Sequence, residues 1–220
     1  MFSNRILQFY YQLREPANLP SYVEVLNPYQ NEYALSLCQQ FYEKYYSDSQ
    51  QRKILFGINP GRLGAGLTGI PFTDPVMLKN RCGIYNCLNQ RAELSSRFIY
   101  DMILSYGGLE AFYASYYISA LSPIGYVSKG VNLNYYDIPN YEDLFESYIV
   151  TQIQEQLTFN IDRSIAYSIG KGKNYNFLYY LNEKHHFFDT LVPLPHPRWV
   201  MQYKLKQKED FIAAYIAQLK

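Results

Sequence analysis

Apolar runs that end at glycine or proline alternate with amphipathic stretches along most of this chain. Residues 53–58 (KILFGI) form a nearly continuous apolar run that ends at a Gly/Pro turn. This pattern is typical of a parallel strand that is covered on both faces. Three further runs, at residues 116–121, 163–169 and 187–192, also end at turn residues. The pattern therefore predicts four strands.

Helical periodicity occupies most of the intervals between these runs. Apolar residues recur three or four positions apart in six stretches, which predict helices at residues 32–46, 94–106, 109–114, 142–157, 174–183 and 202–219. Residues 125–140 lack such a period, and we expect them to form a loop.

The alternation of strands and helices predicts an α/β fold, a three-layer αβα arrangement around a central four-stranded, mostly parallel sheet. We expect residues 1–220 to form a single domain, with residues 1–50 as a helical N-terminal extension packed on it. Ligands of such sheets bind beyond the carboxyl ends of the strands. Four strand ends should therefore converge on one crevice.

Composition narrows the class of protein. With 220 residues, 48% of them hydrophobic and 18% charged, the chain is suited to a globular domain, and its formal charge of +1 leaves a polyanionic partner open. No apolar run approaches the ~18 residues of a membrane span and the N-terminus lacks a secretory signal, so we expect a cytoplasmic protein without membrane association. The three cysteines, Cys38, Cys82 and Cys87, have neither metal-site nor disulfide spacing. They are expected to be buried free thiols, and no metal or cofactor is predicted.

A glycine-rich loop follows the first predicted strand. Residues 54–75 contain glycines at positions 57, 61, 64, 66 and 69. Ordered glycine is entropically costly, so this density indicates that the backbone approaches a ligand closely. No Lys-Ser or Lys-Thr follows as in a nucleotide-triphosphate loop, and the dinucleotide pattern G-x-G-x-x-G is absent. A structural turn without a ligand is the alternative.

Residues 57–72 read GINPGRLGAGLTGIPF. This stretch resembles, without a gap, the first motif of the single-strand-selective monofunctional uracil-DNA glycosylases, G-M-N-P-G-x-x-G-x-x-x-T-G-x-P-F. His196-Pro197-Arg198 is similar to the family's second motif, a histidine-proline segment after the last strand. The resemblance covers most of residues 51–201 and implies a uracil-DNA glycosylase-like fold.

The resemblance also implies a reaction. A monofunctional glycosylase of this kind would hydrolyse the N-glycosidic bond of a flipped uracil or related base during base excision repair. Asn59 would orient the attacking water, and His196 would stabilise negative charge on the departing base. Phe72 is similar to the family's aromatic residue that stacks on the base. If the surrounding motif is disregarded, the alternative interpretation is that Asn59 is a turn residue and Phe72 a core residue.

The base pocket departs from the family at two positions. Gly61 stands where related uracil glycosylases that reject thymine have a tyrosine, which implies room for 5-hydroxymethyluracil and for xanthine or hypoxanthine. Ala120 stands where the family has a base-reading asparagine, with Ser119 or Ser122 as substitutes. The expected base-binding residues are Gly57, Ile58, Gly61, Arg62, Leu63, Gly64, Phe72, Ser119 and Ser122.

DNA, single- or double-stranded and carrying a damaged base, is the expected partner of a monomeric protein. Lys171 lies in a glycine-and-basic turn that resembles one of the family and would hold a phosphate, although an exposed basic turn is an equal alternative. The family's second motif continues H-P-S-P-R-N-P and is longer than the segment here. The expected DNA-binding residues are Gly170, Lys171, Gly172, Pro197, Arg198 and Trp199.

Two other functions compete with this hypothesis. Ala120 motivates a catalytically inactive or weak nucleic-acid-binding module with the same fold, which would bind DNA in a salt-dependent way without releasing a base. A hydrolase of small nucleosides ranks last, because the sequence lacks an aspartate cluster for calcium and ribose.

Overall fold

Seven strands and ten helices make up the computed structural model, which describes all 220 residues. The strands are β1 (Glu24–Leu26), β2 (Arg52–Gly57), β3 (Tyr116–Ala120), β4 (Gly125–Ser128), β5 (Val131–Leu133), β6 (Ile161–Ile169) and β7 (Thr190–Leu194). The helices are α1 (Phe2–Gln12), α2 (Glu32–Tyr45), α3 (Ala65–Thr68), α4 (Pro75–Asn80), α5 (Leu94–Tyr106), α6 (Leu109–Ser115), α7 (Tyr141–Leu157), α8 (Lys173–His185), α9 (Pro197–Tyr203) and α10 (Lys208–Leu219).

The central sheet has the strand order β3-β2-β6-β7, and all three pairings are parallel. Strand β2 lies between two neighbours, where Ile54 is paired with both Tyr117 and Ala166. Helices cover both faces of the sheet, which explains why β2 is apolar at successive positions. The predicted α/β fold is confirmed.

A second, three-stranded antiparallel sheet, in the order β1-β4-β5, was not expected. The prediction of a loop at residues 125–140 is wrong, because strands β4 and β5 form a hairpin there and a 3₁₀ turn follows at Tyr135–Asp137. Lys129 and Gly130 both have positive φ at the hairpin turn, as a two-residue turn of this hand requires. Strands of three or four residues are too short to display a readable alternation of polar and apolar positions.

Two predicted elements near the C-terminus have different bounds. The last strand begins at Thr190 instead of residue 187, because the Asn182 side chain bonds the backbone N–H and C=O of Phe188, at 2.9 Å each, in place of a neighbouring strand. The single helix predicted at 202–219 is two helices, α9 and α10. Backbone conformation leaves the helical region at Lys204, where φ is −131°.

One hydrophobic cluster of 54 buried residues fills the protein. Phe2 and Ile6 of α1 and Leu37 of α2 belong to it, so the N-terminal residues share the core of the central sheet. Arg52 is buried among them and is held by both carboxylate oxygens of Asp48, at 2.7 and 2.9 Å.

The cysteines differ from one another in exposure. Cys38 and Cys82 are buried, as predicted, but Cys87 is exposed, so that prediction is wrong for Cys87. None of the helices combines the length and the apolar composition needed to span a bilayer.

Candidate active site

A cavity of about 1150 Å³ opens at the carboxyl ends of the four parallel strands. Each strand contributes residues at or just after its carboxyl end, namely 57–63 at β2, 119–120 at β3, 170–174 after β6, and 195, 196, 198 and 199 after β7. Small-molecule sites usually measure ~300–1,000 Å³. The cavity therefore has room for a base-sized ligand together with part of a longer chain.

Most of the predicted site residues line this one cavity. They are Gly57, Ile58, Asn59, Gly61, Arg62, Leu63, Phe72, Ser119, Gly170, Lys171, Gly172, His196, Arg198 and Trp199. Asn59 and His196, which the catalytic hypothesis requires to face one ligand, are among them.

Three predicted residues do not line the cavity. Ser122 is fully buried, and its hydroxyl lies 2.7 Å from the Tyr126 hydroxyl and donates to Ile124 O. We therefore correct the assignment of Ser122 as a base-binding residue. Pro197 is buried at the start of α9, and Gly64 is covered by the carboxylate of Glu93.

Ser119 carries a buried hydroxyl next to Ala120, the position at which the family has its base-reading asparagine. Ser119 precedes Ala120 on β3, lines the cavity and is fully buried. Its Oγ has no hydrogen-bond partner in the protein. Buried hydroxyls are nearly always paired, so this group is available to a ligand or a water.

His196 is held as a neutral imidazole with a defined tautomer. It caps the N-terminus of α9, where its Nδ1 accepts a hydrogen bond from the backbone N–H of Arg198 at 3.2 Å. Burial, with a smaller contribution from the Arg198 charge, lowers the pKa of His196 to about 4. A neutral ring that accepts at Nδ1 carries its proton on Nε2, and this N–H has no acceptor in the protein.

The ring of Phe72 faces the same space, with its centroid 6.3 Å from that of His196 and the two planes inclined at 50°. Phe72 has a φ of +53°, a left-handed conformation that is costly for a bulky residue and is found mostly at functional sites. A Cβ at Gly57 would lie only 2.8 Å from Cε2 of this ring. The absence of a side chain at Gly57 therefore allows the ring to occupy its position.

The side chain of Asn59 is fixed by β5 and by the 3₁₀ turn that follows it. Its Nδ2 donates to Leu133 O at 3.1 Å, and its Oδ1 accepts from the backbone N–H of Tyr135 at 3.0 Å. These bonds define which end of the amide is oxygen and which is nitrogen. The second lone pair of Oδ1 stays available to a water molecule.

Some backbone N–H groups of the glycine loop are already hydrogen-bonded within the protein. The N–H of Arg62 bonds Oδ1 of Asn132 at 3.1 Å, and the N–H of Gly64 bonds Gly61 O at 3.2 Å. The N–H groups of Gly61 and Leu63 have no acceptor in the protein. Only these two backbone donors of the segment 61–64 remain for a ligand.

The cavity lining is strongly basic. Five basic side chains line it, those of Arg62, Arg91, Lys171, Lys173 and Arg198, against the single carboxylate of Glu93. A concave site of this charge attracts a polyanion although the whole chain is nearly neutral. No three His, Cys, Asp or Glu side chains are grouped so as to hold a metal ion.

The lining residues that the sequence analysis missed include Arg91, Glu93, Asn132 and Lys173. Lys173 continues the predicted basic turn and could have been included by extending that motif. Burial, together with the charge of Asp74, raises the pKa of the Glu93 carboxyl, while Arg198 opposes this effect. Neither Glu93 nor Asn132 belongs to a recognisable motif.

Comparison with known proteins identifies the family of this chain and a solved structure that it resembles. The family model described as the uracil DNA glycosylase superfamily matches residues 43–220. The crystal structure of wild-type SMUG2 from Pedobacter heparinus is similar to this chain with a TM-score of 0.96 and 41% sequence identity, over 99% of this chain and 96% of that chain. No curated protein matches the chain in sequence.

Proposed function

Because this chain belongs to the uracil DNA glycosylase superfamily and is a DNA glycosylase, a hydrolase of N-glycosyl bonds, we propose that it excises its base in the cavity at the carboxyl edge of the sheet. The observation that carries the proposal is that Asn59, Phe72 and His196 line one cavity. Three groups with complementary chemistry therefore face one ligand.

The reaction needs opposite charges to be stabilised on the two sides of the bond that breaks. Positive charge grows on the sugar and negative charge grows on the departing base. His196 donates its Nε2–H to a base oxygen as that negative charge develops. A neutral imidazole performs this step without losing a proton, which agrees with the low pKa caused by its burial.

The attacking water is oriented by Asn59. Its Oδ1 keeps one lone pair free after accepting from the N–H of Tyr135, and the bond to Leu133 O prevents the amide from turning over. A fixed acceptor aligns the water without being consumed. The base itself stacks on the ring of Phe72, a contact worth ~1–3 kcal/mol.

The cavity supports a substrate range wider than uracil. Its volume accommodates deaminated purines, xanthine and hypoxanthine, and we include 5-hydroxymethyluracil because Gly61 adds no side chain beside the base. The basic residues of the lining contact phosphates on either side of the everted nucleotide. Trp199, 43% exposed, lies at the rim close to this path.

A glycosylase assay tests the proposal. Labelled oligonucleotides that carry uracil, 5-hydroxymethyluracil, xanthine or hypoxanthine are incubated with the protein under single-turnover conditions, and abasic sites are then cleaved with alkali. Uracil should give product, and Asn59→Ala and His196→Ala should each lower the rate by about 10²-fold or more. Gln154→Ala, at an exposed position of α7, is the matched control.

The competing binding module would give a different result. It predicts salt-dependent DNA binding with no abasic product from any of the four substrates. That outcome, with a folded wild-type protein, would refute base excision at this cavity.

A further inference from the structure

Tyr135 does not line the cavity, yet hydrogen bonds join it to two side chains that do. It is fully buried in the 3₁₀ turn that follows β5. Its backbone N–H donates to Oδ1 of Asn59 at 3.0 Å, and its hydroxyl donates to Oδ1 of Asn174 at 3.1 Å. Both asparagines line the cavity. One residue outside the cavity therefore holds two amides inside it.

Asn174 connects Tyr135 to the central sheet. Its Nδ2 donates to Gly57 O at the end of β2, at 3.4 Å, and to Oγ of Ser168 on β6, at 3.3 Å. Asn174 is buried in the first turn of α8, directly after the basic turn at residues 170–173. Its amide is bonded at both ends, so its orientation is defined.

These bonds close a ring around the end of β2. Gly57 and Asn59 are two residues apart in the chain, and they are joined a second time through Asn174 and Tyr135. A buried polar network whose members are all bonded makes its surroundings rigid. The ring therefore limits how far the Asn59 amide can move relative to β2.

The turn that holds Asn59 needs such an attachment. Strand β5 is at the edge of the antiparallel sheet and is hydrogen-bonded to β4 alone. The ring of Tyr135 packs against those of Phe145 and Phe177, with centroids 5.6 and 6.0 Å away. Apolar packing of this kind is not strongly directional, whereas the hydroxyl bond to Asn174 has a defined length and angle.

We propose that Tyr135 is a positioning residue for base excision. Through its bond to Asn174 it fixes the 3₁₀ turn relative to β2, and so keeps Oδ1 of Asn59 directed at the attacking water. This role rests on the proposed function of Asn59 in the same cavity. A displacement of ~1 Å at a reacting group can lower a rate by ~10²-fold, so a modest shift of the turn has a measurable effect.

Two variants break the bond from opposite ends. Tyr135→Phe removes the hydroxyl and keeps the ring, and Asn174→Ala removes the acceptor and leaves Tyr135 intact. The matched control is Tyr46→Phe, because Tyr46 is also fully buried and its hydroxyl donates to Tyr116 O at 3.1 Å, at the end of β3 away from the cavity. Circular dichroism and thermal unfolding establish that each variant is folded.

The single-turnover rate of uracil release should fall by about tenfold in Tyr135→Phe and in Asn174→Ala, and by less than about twofold in Tyr46→Phe. Affinity is measured with an oligonucleotide that contains 2′-fluorinated deoxyuridine, whose glycosidic bond resists cleavage because fluorine disfavours positive charge on the sugar. Tyr135→Phe should leave this affinity within about twofold of the wild type, since Tyr135 does not line the cavity.

A double-mutant cycle shows whether the effect passes through Asn59. In the Asn59→Ala background, Tyr135→Phe should lower the rate by less than about twofold. Equal losses in both backgrounds would overturn the assignment, since Tyr135 would then act through another group. An unchanged rate in folded Tyr135→Phe would overturn it as well.

The side-chain amide of Asn59 also gives a readout that does not depend on activity. Its NMR signals are identified by their absence from Asn59→Ala. In Tyr135→Phe we expect their exchange with water to be faster by about threefold or more, with no change in Tyr46→Phe. Unchanged exchange would refute the positioning role. Failure of the wild type to release uracil, with faster exchange in Tyr135→Phe, would instead count against the proposed function alone.

Discussion

Replacing Gly57 with alanine should move the stacking ring of Phe72 without touching the catalytic side chains. The new Cβ would lie 2.8 Å from Cε2 and 3.2 Å from Cζ of that ring, and 3.3 Å from Ser119 O. Carbon atoms in contact prefer about 3.5–4.0 Å. The ring must therefore retreat by about 0.7 Å or more, because β2 is held by hydrogen-bonded strands on both sides and cannot shift freely.

The expected cost follows from the stacking contact. Base–aromatic stacking contributes ~1–3 kcal/mol, so its loss lowers kcat/KM by about 5- to 150-fold. Phe72 already has an unfavourable backbone conformation, with φ at +53°, so the surrounding structure must hold its ring in place. Single-turnover excision of uracil measures the effect, and urea unfolding measures how much stability is lost separately.

A double-mutant cycle with Phe72→Ala shows whether the effect passes through the ring. If it does, Gly57→Ala should lower the rate strongly in the wild type and by less than about twofold in the Phe72→Ala background. Equal losses in both backgrounds would refute this reasoning and would place the damage in β2 itself.

Three further predictions follow from other parts of the structure. Burial lowers the pKa of His196 to about 4, below the ~6.5 of an unfolded histidine, so the free energy of unfolding should fall by about 3 kcal/mol as pH drops from 6.5 to 4. The excision rate should show no histidine titration near ~6.5. A stability curve that is no steeper in the wild type than in His196→Ala would contradict this prediction. Asp48→Asn should lower the free energy of unfolding in urea by about 2 kcal/mol, because Arg52 is buried and would lose its charged partner. A change below about 0.5 kcal/mol would show that the backbone acceptors around Arg52 are enough to stabilise its buried charge. Lys171→Ala should reduce the salt slope of DNA binding by about one unit, and an unchanged slope would show that this lysine does not contact a phosphate.

The sequence predicts those parts of the site whose residues are close together along the chain. Residues 57–72 lie in one segment, so the motif carries both Asn59 and Phe72 and needs no tertiary information. The strands of the central sheet could be predicted for the same reason, since each of them is an apolar run that ends at turn residues. The pairing order and the position of the last strand had to come from the structure.

Glu93 and Asn132 show why the rest could not be predicted. Glu93 follows an irregular segment without periodicity, and Asn132 lies on a strand of three residues in a region that reads as loop. They meet only because the hairpin packs against the glycine loop, where Pro60 O approaches Gly125 so closely that a Cβ at Gly125 would overlap it. A contact between segments so far apart leaves no pattern in a single sequence.

The region of this hairpin also orients the side chain of Asn59. The motif suggests that this amide suffices to orient a water, yet the amide is held by Leu133 O and by the N–H of Tyr135, both in the region that the sequence assigns to a loop. A free asparagine would sample both amide orientations and offer the water an acceptor only part of the time. The catalytic residue and its restraint therefore come from different parts of the chain, and the antiparallel sheet is part of the active site.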